Sequence, residues 1–127
     1  MKQSNITLIL TSTIDPRGTH FLKRNKVEDR LNDYKKSFNF WCNRNEIKKI
    51  IFVENSGFDL SYFNDHAKKI IDKKIEIISS NVNDSYNKKL GKGYGEYLCY
   101  KEIITKSQLL KETEYFIIVT GRHIIQN

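Results

Sequence analysis

The sequence predicts a single α/β domain, a three-layer, Rossmann-like arrangement with a mainly parallel sheet in the order 3-2-1-4. Three observations predict it. The hydrophobic period alternates along the chain between short, nearly continuous apolar runs and helical stripes, giving strand, helix, strand, helix, strand, helix, strand. Each apolar run stops at a cluster of small or polar residues: Leu10 before Thr11-Ser12-Thr13, Val53 before Glu54-Asn55-Ser56-Gly57, Ile78 before Ser79-Ser80-Asn81, and Val119 before Thr120-Gly121-Arg122. In a parallel sheet all four clusters lie at the carboxyl edge, where open α/β folds bind ligands. Finally, no recurring period, low-complexity linker or Pro- or Gly-rich boundary divides the 127 residues, a length that suits one core. Right-handed crossovers on both faces, with a switch point beside strand one, place strands one, two and four around a common crevice.

The elements follow in order. Residues 5–10 read as a buried strand, with Ile6, Leu8, Ile9 and Leu10 nearly continuous. Asp15-Pro16-Arg17-Gly18 breaks the chain, and the basic stretch to Lys26 reads as a loop. From Val27 the period turns helical, with Val27, Leu31, Tyr34, Phe38 and Trp41 on one stripe that should bury Trp41 at its end. Ile50 to Val53 form the second strand. Asp59 or Ser61 can cap a helix whose apolar face is Leu60, Phe63, Ala67, Ile70 and Ile71. Ile75, Ile77 and Ile78 give the third strand. A long helix should start near Gly93 or Tyr94 and run to about Leu110, with Tyr97, Tyr100, Ile103, Ile104, Ser107 and Leu110 on one side. Tyr115 to Val119 close the series, and the renewed apolar trend at His123-Ile124-Ile125 reads like the first domain of something longer.

Composition bounds the function. Lys and Arg outnumber Asp and Glu by 22 to 15, for a formal charge of +7, which favours anionic partners without naming one. Cys42 and Cys99 fall in predicted helices, with neither zinc-site spacing nor the density of a disulfide scaffold. His20, His66 and His123 show no ligand spacing, so no metal site is expected. The amino-terminal apolar stretch is too short for a signal sequence or a membrane span, and a cytoplasmic protein without a transmembrane segment is the expectation.

Three clusters could carry chemistry. Gly91-Lys92-Gly93-Tyr94-Gly95-Glu96 opens a helix, where glycines allow close backbone approach and free amides suit phosphate, with Lys92 adding a full charge. The spacing is neither a P-loop nor the dinucleotide fingerprint, and a tight helix entry explains the glycines equally well. Glu96 shares a helical face with Tyr100, Ile103 and Ser107 and should point inward. Glu54-Asn55 at a strand tip could accept hydrogen bonds from ribose or sugar hydroxyls, and the bland alternative is a simple turn. Arg122 could fork onto a diphosphate, although a surface ion pair is the commoner role for an arginine. Nothing resembles the Gly-x-Ser-x-Gly elbow of a hydrolase.

Taken together, Leu10-Thr11-Ser12-Thr13-Ile14, Arg30-Leu31-x-Asp33-Tyr34, Phe52-Val53-Glu54-Asn55-Ser56-Gly57, Gly91-Lys92-Gly93-Tyr94-Gly95-Glu96 and Thr120-Gly121-Arg122 resemble the amino-terminal half of a bacterial surface-polysaccharide glycosyltransferase family with a GT-A-like fold. The resemblance spans nearly the whole chain in order. It implies a nucleotide-sugar donor site for building capsule or lipopolysaccharide glycans, with the enzyme at most peripheral to the inner face of the membrane. By that resemblance Thr11 and Thr13 would lie near the base, Glu54 near the base or ribose, the Gly91 to Gly95 loop with Lys92, Gly93 and Gly95 near the sugar or diphosphate, and Arg122 near the diphosphate, with Asn55 and Glu96 completing the candidate donor-binding set. The acceptor would be a glycan or a lipid-linked glycan, and a partner chain could supply an acceptor-binding half. The family's Asp-x-Asp metal motif does not occur in this sequence, so no cofactor is required, although a divalent ion stays compatible. Arg122 and Lys92 would then neutralise the diphosphate. Two rivals stand beside this reading: a non-catalytic nucleotide-binding or interaction module needing a partner, and a nucleic-acid binder, which the core-facing placement of the aromatics disfavours.

Overall fold

A computed structural model describes residues 6–15, 26–80 and 92–120, with side chains in the last range from residue 97 onward. The elements are β1 (Ile6–Ser12), α1 (Val27–Cys42), β2 (Lys49–Glu54), α2 (Ser61–Lys68), β3 (Lys74–Ser79), α3 (Lys92–Lys106), a 3-10 turn (Leu109–Glu112) and β4 (Tyr115–Thr120). The four strands form one sheet in the order β3-β2-β1-β4. Every pairing is parallel, with Leu10 opposite Phe52 and Val119, and Phe52 opposite Ile77. This is the expected α/β fold, Rossmann-like and single-layered in its sheet.

Strand alternation splits the apolar residues between two cores. Leu8, Leu10, Ile50 and Phe52 face α1 and α2, packing with Tyr34, Phe38, Trp41, Leu60 and Phe63. Ile9, Ile51, Val53 and Ile78 face α3 through Cys99 and Ile103, with Leu109 closing one end. The first core is largely aromatic: Phe38 meets Phe52 and Phe63 edge-on at 5.5 and 5.3 Å, while Phe52 stacks on Phe63 at 4.5 Å. Trp41 is buried at the end of the α1 stripe, as its spacing predicts. Cys42 and Cys99 are buried free thiols, and burial pushes Cys42 up to about 12.

The structure departs from the sequence reading at the ends of elements. β1 and β2 run past their apolar residues, because Thr11, Ser12 and Glu54 continue the ladder: Thr11 pairs with Val53 and Ser12 with Glu54. The polar clusters therefore begin inside the sheet. α2 stops at Lys68, three residues before the predicted stripe ends at Ile71, so Ile70 packs only partly and Ile71 is left 96 % exposed. Neither Asp59 nor Ser61 is the cap of α2: Leu60 holds that position without a side-chain cap, and Asp59 accepts from the Ser61 amide and hydroxyl, which holds its carboxyl below the usual range.

α3 ends at Lys106, not near Leu110. Glu76 of β3 intercepts the chain there, accepting from the Ser107 hydroxyl and from the Gln108 and Leu109 amides. These donors would otherwise continue the helix, so the carboxylate turns the backbone into a 3-10 turn. The buried face of α3 is Cys99 and Ile103 with Tyr100 beside them, and Tyr97 and Ile104 point to solvent. The predicted stripe includes two residues that face away, Tyr97 and Ile104, and leaves out Cys99, since positions 97 and 104 lie far around the helix from 99 and 103. Since Ser107 meets Glu76 near the start of β3, α3 runs back across the sheet and begins toward the strand tips.

Candidate functional site

At the carboxyl edge, β1 and β2 end side by side and their continuations are laced together. The Ser12 hydroxyl donates to the Val53 carbonyl at 2.8 Å, and the Asn55 amide donates to the Ser12 carbonyl at 3.1 Å. One residue on, the Thr13 hydroxyl donates to Asn55 Oδ1 at 2.7 Å. Beyond that, the Asp15 amide donates to the Ser56 hydroxyl at 3.1 Å. β3 joins through the Ser80 amide on the Glu54 carbonyl and the Gly57 amide on the Ser80 carbonyl, at 2.9 and 2.8 Å. Gly57 turns with φ of 73°, a conformation that costs a residue with a Cβ but not glycine.

Glu54 is the centre of this lattice. Its side chain is fully buried, following Phe52 by alternation onto the side of α1 and α2. Oε2 accepts from the Ile14 amide at 2.8 Å and from the Ser56 hydroxyl, while Oε1 accepts from the Ser56 and Phe58 amides at 2.9 and 3.1 Å. A buried carboxylate is costly unless hydrogen-bonded, and four donors meet that requirement. Burial pushes the carboxyl above its ordinary value, and the bonds from Ser56, Ile14 and Phe58 draw it back. Glu54 thus holds the β1 and β2 loops in register and presents no oxygen at the surface.

A second brace comes from α1. Arg30, itself buried, donates through Nε to the Thr13 carbonyl at 2.7 Å and through Nη2 to the Tyr34 hydroxyl at 3.1 Å. The same hydroxyl accepts from the Thr13 amide at 2.9 Å. Arg30 and Tyr34 lie one turn apart on α1, so both reach the β1 tip. Tyr34→Phe is expected to destabilise the fold by about 1–3 kcal/mol, because it strips two part-buried donors of this acceptor while keeping the ring. Urea denaturation measures it, and an unchanged midpoint would contradict the brace.

Of the residues singled out from sequence, the structure brings together Thr11, Thr13, Glu54 and Asn55. Thr11 is buried in the middle of the edge, paired with Val53 on one side and Thr120 on the other. Thr13 is half-buried and Asn55 buried. Lys92, Gly93, Gly95 and Glu96 occupy the first turns of α3, and their side chains lie outside the described residues, as do Gly91 and Arg122 altogether. Arg30, Tyr34 and Ser56 emerge as site-forming residues that the sequence marked only as members of the resembling segments and, for Ser56, as a turn residue. Tyr34 counted as part of an apolar stripe and, with Arg30, as part of a resembling segment, and the signal for a shared role was an arginine four residues before it on the same face.

Among the described residues no group of three His, Cys, Asp or Glu side chains could hold a metal ion, and no helix is long and apolar enough to cross a membrane. Comparison with known proteins finds no protein-family model, no curated protein and no solved structure that matches the chain.

Proposed function

We propose that this chain is a nucleotide-sugar donor-binding domain of a glycosyltransferase that builds bacterial surface polysaccharide, acting in the cytoplasm or at the inner face of the membrane. The observation that carries the reading is topological: the order β3-β2-β1-β4 puts a switch point between β1 and β4, and ligands of open α/β sheets sit outside the strand tips at such a point. Thr11 and Thr120 are paired there, the Thr13-Asn55 hydrogen bond stands beside them, and α3 begins toward the same edge.

On this reading the half-buried Thr13 offers its hydroxyl to the base or ribose, and Asn55 and Glu54, both buried, act from behind by fixing that hydroxyl and the loops. The glycine-flanked start of α3, with Lys92 and Glu96, receives the sugar or diphosphate, and free amides at a helix start suit that anion. Arg122 follows β4 by two residues in sequence and forks onto the diphosphate. The acceptor, a glycan or lipid-linked glycan, is met by a further domain or a partner chain, and no divalent ion is needed where fixed cations neutralise the leaving group.

Arg122 gives the test. Arg122→Ala is expected to weaken nucleoside diphosphate binding by about 1.5–3 kcal/mol with the melting temperature nearly unchanged. Arg122→Lys keeps the charge and should still weaken binding, because an ammonium lacks the planar fork. A fall in melting temperature with intact affinity would identify a structural ion pair instead.

A further inference from the structure

The two edges of the sheet are built differently. β3, at one edge, carries Lys74 and Glu76, and Glu76 is engaged by the segment after α3. Charges of this kind discourage edge-to-edge pairing. β4, at the other edge, reads Tyr-Phe-Ile-Ile-Val-Thr without a charge, in a chain of net charge +7. Its residues are open on both faces of the sheet: Tyr115 is 66 % exposed, Phe116 55 %, Ile117 48 % and Ile118 37 %. Among the described residues no strand pairs with its outer side.

The strand is self-complementary. Its register with β1 puts Tyr115, Ile117 and Val119 on the face of α1 and α2, and Phe116 and Ile118 on the face of α3. A twofold axis perpendicular to the sheet keeps each face with itself and runs the two strands antiparallel. Centred on Ile117, it sets Ile117 against its own copy, Tyr115 against Val119 of the second copy and Phe116 against Ile118 of the second copy. Every one of these cross-strand pairs is apolar or aromatic, the pair types that stabilise sheets. No like charges meet, because the segment carries none.

We propose that the chain associates as a symmetric dimer through antiparallel β4–β4 pairing centred on Ile117, which joins the two four-stranded sheets into one continuous sheet. The strand tips of the two copies then open at opposite ends of the joined sheet, so the association leaves both carboxyl edges accessible and does not depend on what binds there.

Sedimentation velocity of the 127-residue chain at tens of micromolar is expected to give twice the 15.0 kDa chain mass. Ile117→Lys places two ammonium groups against each other at the axis and should return the mass to that of one chain with the circular dichroism spectrum retained. Should that variant unfold, cysteine pairing decides instead. Ile117→Cys brings two thiols to Cα separations of about 4.5–5.5 Å, within disulfide reach, and should cross-link under mild oxidation. Tyr115→Cys, whose counterpart is four positions out of register, should not. Cys42 and Cys99 are buried and do not compete. A single-chain mass at that concentration overturns the proposal, as does cross-linking of Ile117→Cys no faster than that of Tyr115→Cys.

Discussion

Phe38→Ala is expected to lower the free energy of unfolding by about 3–5 kcal/mol, the range for removing a fully packed aromatic side chain. Phe38 has no exposed surface and stands between Phe52 of the sheet and Phe63 of α2, with His66 edge-on at 5.8 Å. Its removal leaves a cavity where side chains of α1, α2 and β2 meet, and it forfeits edge-to-face contacts that contribute beyond buried area. Urea denaturation measures the loss, and Ile71→Gln is the matched control. Ile71 is 96 % exposed, so its change should stay within about 0.5 kcal/mol.

Glu54→Gln should be of comparable size. The carboxylate accepts from Ile14, Ser56 and Phe58 through both oxygens, whereas the amide offers one oxygen and sets an NH2 against the donors on the other side. Two buried donors lose their acceptor, at about 1–3 kcal/mol each. The pH dependence reports which influence on Glu54 prevails. Burial raises the folded pKa above the unfolded one, so the folded state holds that proton more tightly. The resulting stabilisation is complete below the ordinary glutamate value of about 4.3 and is lost as pH rises through the raised folded value. The stability gap between wild type and Glu54→Gln should therefore narrow from pH 4 to pH 7. A gap that widens instead would mean that the four donors outweigh burial.

Sheet order, strand direction and the α1 stripe were legible because they rest on patterns that persist over many residues. Leu8, Leu10, Ile50 and Phe52 alternate with Ile9, Ile51 and Val53, and a sheet covered on both faces explains all seven. The errors fall where one side chain from a distant segment decides the outcome. Glu76 ends α3 and is 31 residues away from the Ser107 that it binds, so helical periodicity could not foresee it. The candidate site was legible in location but not in orientation. Thr13 and Asn55 do meet, yet Glu54, which looked like a ligand-facing acid at a strand tip, is turned inward to hold the loops. A strand-tip carboxylate followed by Asn-Ser-Gly has amides of its own turn within reach, and those donors outcompete solvent. Arg30 and Tyr34 stood out only as a resembling segment, and their bracing role was not legible because a buried brace between a helix and a loop leaves only one helical turn of spacing in the sequence.

On the proposed function the strand-tip edge binds a nucleoside diphosphate. Calorimetric titration of the chain with uridine, guanosine and cytidine diphosphates, each with magnesium and with chelator, tests it most directly. Saturable one-site binding of at least one of them is expected, retained in chelator and weakened when Thr13→Val removes the hydroxyl that meets Asn55. Absence of binding to all three, under both conditions, would contradict it.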